Sequence, residues 1–530
     1  PYVHGGGTPL TVNIDKNASD ASAILQVTGG TFIGRNPALG DDSVKTGNFI
    51  PDTVKLTLTY NEQGEAVYTV LDADAEVPEG TLAVYSVESG AVVATVYTAE
   101  GLEEARAEGY ATVRLGYDIQ GNFTISKALT LHLNAKKLYS TNNEVYTLNA
   151  WGGESEKETI SVEIISSANE KGTLEGAGIA LNAYKYIDLT VRNVSFVSEN
   201  ASALQVYGEA VQQIKAQDST FEGQLAGVLV FGSGNREETV SFEAEDCTIS
   251  GGNYGLSGNG SGWSMNTSIT LTDCTVTATG ESGTAIYHPQ QYSKITIQGV
   301  SDEGTVISGA NGVEMRAGSL VISGNVSVTA TGEYSERYDG DGPRFTGVAL
   351  GVSRYFDEED NGVSVTVEAG AEFVTTDDSG YAFLEKDIVQ SGVSVDNVEV
   401  ILQDGTFNGS ISAENAQNFI EDGIFSEPVE SKYLAAQDAA ITKNEDGNYV
   451  ISSAPATAEV TIGGATYTYS TLAEAVAAVP AENAEPAVIK LIGSEEVIEG
   501  GGIIVDGNKN IVFDFNRKTY NVVGPTVGSP

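Results

Sequence analysis

Acidic side chains in two neighbouring loops form the one arrangement in this sequence that suits a metal ion. Asp339 and Asp341 lie two residues apart in a Gly-rich turn, and Asp357, Glu358 and Asp360 follow in the next long loop. Carboxylate oxygens are the ligands that Ca²⁺ prefers, roughly six to eight per ion. The spacing matches neither an EF-hand nor a nonapeptide calcium repeat, so a solvated acidic surface is the alternative. Calcium is the one cofactor that the sequence suggests.

A group of aromatic side chains lies in neighbouring repeats between residues 254 and 292. Rings that are exposed beside polar side chains suit the apolar faces of sugars. The sequence therefore predicts a carbohydrate site, with host or environmental glycans as partners; packing of the rings beneath long loops is the alternative. The candidate residues are Tyr254, Trp263, Tyr287, His288 and Tyr292.

No constellation of catalytic residues is evident in the sequence. The three histidines, at positions 4, 132 and 288, are too dispersed for a metal cluster or a nucleophilic triad. Four aspartates share one position of a repeated motif, which is typical of turns in which an Asx side chain bonds the backbone. They are Asp218, Asp246, Asp273 and Asp404. We therefore expect no enzyme; a polysaccharide lyase or glycoside hydrolase, with acids gathered in one groove, is the alternative.

Short strands that alternate apolar and polar residues recur along the chain, and each ends at a Gly, Asn or Asp turn. A motif returns at Asn193, Asp218, Asp246 and Asp273, at intervals of 25, 28 and 27 residues (218 − 193, 246 − 218 and 273 − 246). This period fits one coil of a parallel β-helix, in which equivalent side chains stack about 4.8 Å apart. The side chains expected to stack inside are Leu229, Ile249, Val276, Ile286 and Val321, with Cys247 and Cys274 as neighbours in one ladder.

Two segments interrupt the strand pattern with helical periodicity. Residues 98–108 and 470–479 are short and amphipathic, and each has a threonine placed to cap its first turn. The strands that follow them also correspond: residues 111–115 resemble 487–491, and residues 131–134 resemble 513–516. A helix before the first coil is a sensible cap, because an open β-helix end exposes unpaired backbone and apolar side chains.

These correspondences predict a tandem arrangement whose phase is shifted along the chain. Gly30-Thr-Phe32 resembles Gly405-Thr-Phe407, and this offset of 375 residues (407 − 32) is close to the 370 (472 − 102) between the two helices. We predict terminal coils of a β-helix at 1–50, a β-rich spacer at 51–97, a main β-helix with its capping helix at 98–428, a second spacer at 429–469, and a capping helix with the first coils of another β-helix at 470–530.

Composition narrows the class of partner. The 530 residues include 73 acidic and 27 basic ones, so the formal charge is 27 − 73 = −46. A chain this anionic repels nucleic acid and anionic lipid. No run approaches the roughly 18 apolar residues of a membrane-spanning helix, so we expect no membrane insertion. Acidity together with many Thr, Ser, Gly and Asn residues favours an extracellular bacterial protein.

Several of these motifs resemble a known group of proteins. Leu131-His-Leu-Asn-Ala-Lys-Lys-Leu138, Ala285-Ile-Tyr-His-Pro-Gln-Gln291 and the repeated Gly-Thr-Phe segments are similar to large repetitive surface proteins of gut Firmicutes. Those proteins are tandem right-handed β-helices of the pectate-lyase-like shape. The resemblance implies a secreted or wall-attached location and an adhesin-like or structural role.

The sequence as a whole predicts an all-β protein: a right-handed parallel β-helix with a short capping helix and β-rich spacers. We expect an extracellular structural protein, the subunit of a head-to-tail surface filament or adhesin fibre, whose partner is another copy of itself. The alternatives are a carbohydrate-active enzyme, a polysaccharide-binding module, or one repeat of a longer chain with covalent joints. The residues predicted at the polymer interface are Leu10, Val12, Ile14, Ile24, Leu25, Ile511, Phe513 and Phe515.

Overall fold

Strands dominate the structure, and two short α-helices accompany them. The computed structural model describes residues 26–39, 49–143, 146–167, 169–208, 210–260, 264–337, 342–354, 362–386, 398–436, 439–444, 446–462, 465–483 and 485–523. The chain divides into two compact units. The first comprises Pro1–Ser233 and Glu238–Glu243, and the second comprises Gly234–Glu237 and Ala244–Pro530.

The strands of the first unit are short, and one helix lies among them. In chain order they are β1 (Gly30–Ile33), β2 (Val54–Tyr60), β3 (Ala66–Asp72), β4 (Ala83–Glu88), β5 (Ala91–Val96), α1 (Ala99–Glu108), β6 (Thr112–Leu115), β7 (Ile119–Gln120), β8 (Phe123–Ile125), β9 (Leu129–His132), β10 (Lys137–Ser140), β11 (Leu148–Trp151), β12 (Ile160–Ile165), β13 (Gly172–Gly176), β14 (Leu181–Tyr184), β15 (Ile187–Arg192), β16 (Val194–Ser198), β17 (Ser202–Tyr207), β18 (Gln212–Gln217), β19 (Thr220–Gly223) and β20 (Ala226–Phe231). The division between the units falls within β21 (Val240–Glu245).

The second unit continues the same pattern. Its elements are β22 (Thr248–Gly251), β23 (Tyr254–Gly258), β24 (Thr267–Thr272), β25 (Thr275–Ala278), β26 (Thr284–His288), β27 (Lys294–Gly299), β28 (Thr305–Gly309), β29 (Asn311–Met315), β30 (Gly318–Gly324), β31 (Val326–Ala330), β32 (Ser335–Glu336), β33 (Phe345–Thr346), β34 (Val348–Val352), β35 (Val363–Val367), β36 (Ala371–Thr375), β37 (Tyr381–Glu385), β38 (Val398–Leu402), β39 (Thr406–Asn408), β40 (Ser410–Ala413), β41 (Gly423–Phe425), β42 (Ala439–Lys443), β43 (Tyr449–Pro455), β44 (Ala458–Ile462), β45 (Ala465–Tyr469), α2 (Leu472–Ala478), β46 (Ala487–Leu491), β47 (Val497–Gly500), β48 (Ile511–Asp514) and β49 (Thr519–Val522). Two 3₁₀ turns, Glu156–Glu158 and Ser431–Tyr433, complete the set.

In the first unit the chain passes through three sheets in a fixed order, one strand in each sheet per coil. Sheet A contains β6, β9, β12, β15 and β18; sheet B contains β7, β10, β13, β16 and β19; sheet C contains β8, β11, β14, β17 and β20. Strands of successive coils are parallel and in register, as in Leu148↔Leu181 and Leu181↔Leu204. At the start of sheet A, strands β1 to β5 pair antiparallel in the order β1, β3, β2, β4 and β5, and β5 then pairs in parallel with β6.

The second unit has the same organisation. Sheet D contains β24, β27, β30, β35 and β38; sheet E contains β22, β25, β28, β31, β36, β39 and β41; sheet F contains β23, β26, β29, β34, β37 and β40. An antiparallel hairpin, β42 and β43, pairs with β41 at the end of sheet E. A separate four-stranded sheet follows in the order β45, β44, β46 and β48, and β47 pairs with β49.

Side chains stack in ladders because parallel strands in register place equivalent residues above one another. Phe196 and Phe221 stack with ring centroids 4.9 Å apart and an angle of 4°, and Phe407 and Phe425 stack at 5.0 Å and 6°. Cys247 and Cys274 are both buried, and their thiols share a hydrogen bond that lowers the pKa of Cys274. Thr248 and Thr275, which follow them, are in register, so the two cysteines are neighbours in one ladder, as predicted.

The predicted interior positions are correct in part. Ile249, Val276 and Ile286 are fully buried and in register with apolar residues of the next coil. The assignments of Leu229 and Val321 to the interior are wrong, because both side chains are only half-buried. Their neighbours are buried instead: Val228 and Val230 flank Leu229, and Leu320 and Ile322 flank Val321. A one-residue error in strand phase moves a side chain to the opposite face of the sheet.

Both predicted helices are present. In α1 the Thr98 side chain accepts a hydrogen bond from the Gly101 N–H, and Gly109 ends the helix in the left-handed conformation at φ 80°. In α2 Thr471 and Glu474 form a reciprocal capping box. Each helix buries an apolar face, through Leu102 in α1 and Leu472 in α2. The tandem division predicted for residues 1–50 through 470–530 stays a prediction.

Candidate functional site

Several of the predicted site residues lie outside the described residues. These are the calcium candidates Asp339, Asp341, Asp357, Glu358 and Asp360, the aromatic candidate Trp263, and the interface candidates Leu10, Val12, Ile14, Ile24 and Leu25. Within the described ranges, no group of three or more His, Cys, Asp and Glu side chains is arranged to hold a metal ion. The calcium site therefore stays a prediction.

The structure brings two of the aromatic candidates together and buries one of them. Tyr254 and Tyr287 lie on successive strands of sheet F, with ring centroids 5.9 Å apart and an angle of 24°. Tyr287 is 4% exposed and His288 is fully buried. Tyr292 lies in a turn at φ 53° beneath the Arg236 guanidinium, which is 4.0 Å from the ring centroid. Tyr254 and Tyr292 are both half-buried.

A buried acid lies beside this aromatic pair. Glu314 of β29 is in register with Tyr287 of β26, and its carboxylate accepts the backbone N–H groups of Arg344 at 2.7 Å and of Phe345 at 3.2 Å. Burial raises the pKa of Glu314 to about 7, although Arg316 and Arg344 act to lower it. The carboxylate thus fixes the hairpin of β32 and β33 to sheet F.

The guanidinium of Arg316 completes this buried polar cluster. It donates to the Tyr287 hydroxyl at 3.2 Å, to the Gly342 carbonyl at 3.0 Å and to the Arg354 carbonyl at 2.9 Å. These contacts place the backbone that leads into β33 over sheet F, which explains why Tyr287 is buried. In the described structure neither ring nitrogen of His288 has a hydrogen-bond partner, and burial lowers its pKa to about 3. The cluster therefore holds the hairpin in place, and solvent does not reach it.

The aspartate ladder has the backbone geometry of a turn. Asn193, Asp218, Asp246 and Asp273 all have positive φ, at 55°, 51°, 52° and 50°. Asn and Asp adopt this left-handed conformation more readily than other residues with a Cβ. Asp404 differs, because the neighbouring Gly405 takes the positive φ, at 133°. These side chains therefore turn the chain between sheets, as the repeated motif predicted.

The edge formed by β48 and β49 is exposed and apolar. Phe513 is 36% exposed and Phe515 is 45% exposed, while Ile511 is half-buried. Within the described residues β48 is the last strand of its sheet and β49 is paired only with β47. Strand edges with unpaired backbone and exposed rings are sites at which further strands add.

The same local structure occurs early in the chain, where it is covered. Asn134 donates its side-chain amide to the Leu115 carbonyl at 3.0 Å, and Asn516 donates to the Leu491 carbonyl at 3.1 Å. In each case two successive left-handed residues follow the strand, Asn134-Ala135 and Asn516-Arg517. Strands β6 and β9 pair in parallel near α1, as β46 and β48 do near α2. The two segments are therefore equivalent modules.

The two modules differ in whether a further strand pairs with their second parallel strand, which is β9 in the first module and β48 in the second. Leu131 and Leu133, which correspond to Phe513 and Phe515, are 1% and 0% exposed. They are covered because β9 pairs on its other side with β12, in the register Leu131↔Ile164. Within the described residues, no strand pairs with the free side of β48 as β12 pairs with β9. In this part of the chain the edge of β48 and β49 is left uncovered, and it is the candidate functional site.

Sequence reasoning missed one exposed feature. On sheet C an aromatic column of four rings runs across successive strands: Trp151, Tyr184, Tyr207 and Phe231 are in register. Their intervals of 33, 23 and 24 residues (184 − 151, 207 − 184 and 231 − 207) are irregular, so no constant period reveals them. Each ring lies at the end of its strand and is followed by a Gly or a Lys. This pattern is the one signal in the sequence that could have revealed the column.

Comparisons with known protein families, curated proteins and solved structures found no match to this chain. The resemblance to repetitive surface proteins thus stays a prediction. Neither of the two described helices has the length and apolar character needed to cross a bilayer.

Proposed function

We propose that each unit is built as a right-handed parallel β-helix. The proposal is supported by the fixed order in which the chain visits three sheets, with parallel pairing in register from one coil to the next. A parallel strand–crossover–strand connection is right-handed in the great majority of proteins, because right-twisted strands favour that path. Stacked interior phenylalanines are the packing expected inside such a solenoid.

We propose that the protein is an extracellular structural protein that assembles head to tail into a surface filament or adhesin fibre. The observation that carries this is the contrast between Phe513 and Phe515, which are exposed, and their equivalents Leu131 and Leu133, which are buried. A formal charge of −46 and the absence of a catalytic constellation in the sequence favour a structural role at a cell surface or in the medium. No catalytic step is part of the proposal.

The occupant of the edge is a second copy of this chain. What covers the equivalent edge in the first module is a strand of alternating apolar residues, β12. Residues 10–14 and 24–27 have the same alternation, with Leu10, Val12 and Ile14 on one predicted face. Backbone pairing across such a joint is strand addition, in which the main chain supplies affinity and the side chains supply specificity.

Such a contact joins two different surfaces, so each copy that adds leaves one surface free for the next. A heterologous contact that does not close generates a fibre rather than a dimer. At the other side of the chain, β1 is the end strand of its sheet, and its Ile33 is 57% exposed. This strand is therefore available to extend the joint.

Sedimentation velocity over a range of protein concentrations tests the proposal. Wild-type protein should form species larger than the 55.4 kDa chain, and the fraction should grow with concentration. The double variant Phe513→Asp/Phe515→Asp should remain monomeric, because carboxylates on the edge cannot be buried without a large desolvation cost. Both side chains are exposed in the subunit, so the variant should fold normally.

Val300→Asp is the matched control, because Val300 is 74% exposed and lies on a loop far along the chain from β48. It should assemble as the wild type does. A wild-type chain that stays monomeric at every concentration would refute the proposal. Assembly of the double variant at wild-type strength would show that the chain associates through another surface.

A further inference from the structure

We infer that the exposed face of sheet C in the first unit binds a neutral polysaccharide chain. The aromatic column is its centre, with ring centroids 4.7, 5.5 and 5.3 Å apart from Trp151 through Tyr184 and Tyr207 to Phe231. Trp151 is 38% exposed and Tyr207 is 39% exposed, and the other two rings are half-buried. Aromatic side chains of this kind offer an apolar face beside polar groups.

A row of amide side chains runs alongside the rings on the same face. Asn149, Asn182 and Gln205 occupy one register column, two residues before the aromatic column. The Asn182 amide donates to the Asn149 side-chain oxygen at 2.8 Å, and the Gln205 amide donates to the Asn182 oxygen at 3.3 Å. Asn182 is 4% exposed and links the row internally, whereas Asn149 and Gln205 are half-buried and keep amide donors and acceptors that can bond hydroxyl groups. Rings beside amides give a sugar both its stacking surface and its hydrogen bonds.

The charge of this face selects the kind of polysaccharide. Thr124 and Leu229 extend the amide column at its two ends, so both columns consist of uncharged side chains. The cation beside the rings is Lys185, whose ammonium lies 5.3 Å from the Trp151 ring centroid, and it forms an ion pair with Glu154. With that pair neutralised and a strongly negative chain around it, the face repels uronic acid polymers. A neutral hexose chain suits it.

A peptide partner fits this face less well. Strands β11, β14 and β17 each pair with a neighbour on both sides, so their backbone groups are already bonded and no strand can add here. What remains is a column of aromatic side chains and amides across four coils, in which neighbouring ring planes are inclined at 64°, 28° and 63°. The step from one ring to the next is comparable with the length of one pyranose unit, so an extended sugar chain can follow the column.

Native gel electrophoresis in the presence of dissolved polysaccharide tests the inference. The gels contain mixed-linkage β-glucan, xyloglucan or galactomannan as neutral probes, and polygalacturonate as the acidic one. Wild-type protein should be retarded by at least one neutral probe and not by polygalacturonate. Trp151→Ala and Tyr207→Ala should each weaken the retention about tenfold or more, the effect expected of a central aromatic residue.

Tyr117→Ala is the matched control, because Tyr117 is 64% exposed, contacts Tyr97 as an aromatic pair and lies outside sheet C. It should bind as the wild type does. The inference is overturned if none of the three neutral probes retards the protein, if polygalacturonate alone retards it, or if Trp151→Ala and Tyr207→Ala bind at wild-type strength. These outcomes are independent of filament assembly, which depends on β48 and β49.

Discussion

Glu314 and His288 are both fully buried in the second unit, and they respond to pH in opposite directions. Burial raises the pKa of Glu314 to about 7 and lowers the pKa of His288 to about 3. The folded state therefore holds the proton of Glu314 more tightly than the unfolded chain does, and it holds that of His288 less tightly. Glu314 favours folding at low pH, whereas His288 favours it at neutral pH.

Glu314→Gln should change how stability depends on pH. The folded-state pKa of Glu314 lies above its ordinary value of 4.5, so its contribution is complete below about pH 4.5 and is lost as the pH rises through 7. The glutamine variant lacks this loss, so its melting temperature relative to wild type should be higher at pH 8 than at pH 5. Thermal unfolding followed by circular dichroism at the two values measures the difference.

The control for this variant is Glu399→Gln, a change of the same chemistry at an exposed position of β38. Its melting temperature relative to wild type should be nearly the same at pH 5 and pH 8. Equal pH responses of the two variants would show that the Glu314 carboxylate is not held in a dry environment.

The burial of the aromatic candidates could not be read from the sequence. The sequence placed Tyr254 and Tyr287 in neighbouring repeats, and their ring centroids lie 5.9 Å apart. What covers Tyr287 is a hairpin more than forty residues further along the chain, fixed by Glu314 and Arg316. Local residue types do not reveal such a long-range contact, so Tyr287, which the pattern presented as exposed, is buried.

Among the elements, the turns of each coil follow a simple rule. Asn193, Asp218, Asp246 and Asp273 occupy one corner of successive coils with φ between 50° and 55°. This conformation disfavours a Cβ by about 1–2 kcal/mol unless the residue is Asn or Asp. The repeated Asn and Asp residues therefore suit the left-handed backbone conformation at this corner. The regular spacing of the motif predicted a turn at these positions.

Asp218→Gly and Asp218→Ala should therefore differ in stability. Glycine adopts positive φ without strain, so Asp218→Gly should be at least as stable as wild type, while Asp218→Ala should lose about 1 kcal/mol. Urea unfolding measures both. Asp188→Ala, on an exposed strand position, is the control and should change stability by less than about 0.5 kcal/mol. An alanine variant at position 218 as stable as the glycine variant would contradict the turn assignment.

Helices and turns were predictable because their signals are local. The face of the sheet to which each strand residue points was less predictable. Thr98 and Thr471 cap the two helices where the sequence placed them. Leu229 and Val321 were assigned to the interior, yet each lies beside two apolar residues that are buried instead. In a run such as Val228-Leu229-Val230 every residue is apolar, so alternation does not distinguish the two faces.

On the scale of the whole molecule, a repeated module explains the exposed edge. The sequence predicted that residues 470–530 repeat the start of the main β-helix, and the equivalent turns at Asn134 and Asn516 agree with that prediction. The shifted phase of the sequence placed Phe513 and Phe515 at an interface, and both are exposed, whereas their equivalents Leu131 and Leu133 are buried by the next coil. Assembly is the proposed way in which that coil is supplied.

The most direct test of head-to-tail assembly mixes two variants that each lack one half of the joint. Leu10→Asp/Val12→Asp/Ile14→Asp alters the segment that the sequence predicts as the donor and leaves the edge intact, and Phe513→Asp/Phe515→Asp does the reverse. Light scattering should show each variant alone as a monomer. Their equimolar mixture should have twice the mass of the 55.4 kDa chain and grow no further, because only one complete joint can form. A mixture that remains monomeric, or either variant forming polymers alone, would contradict the account.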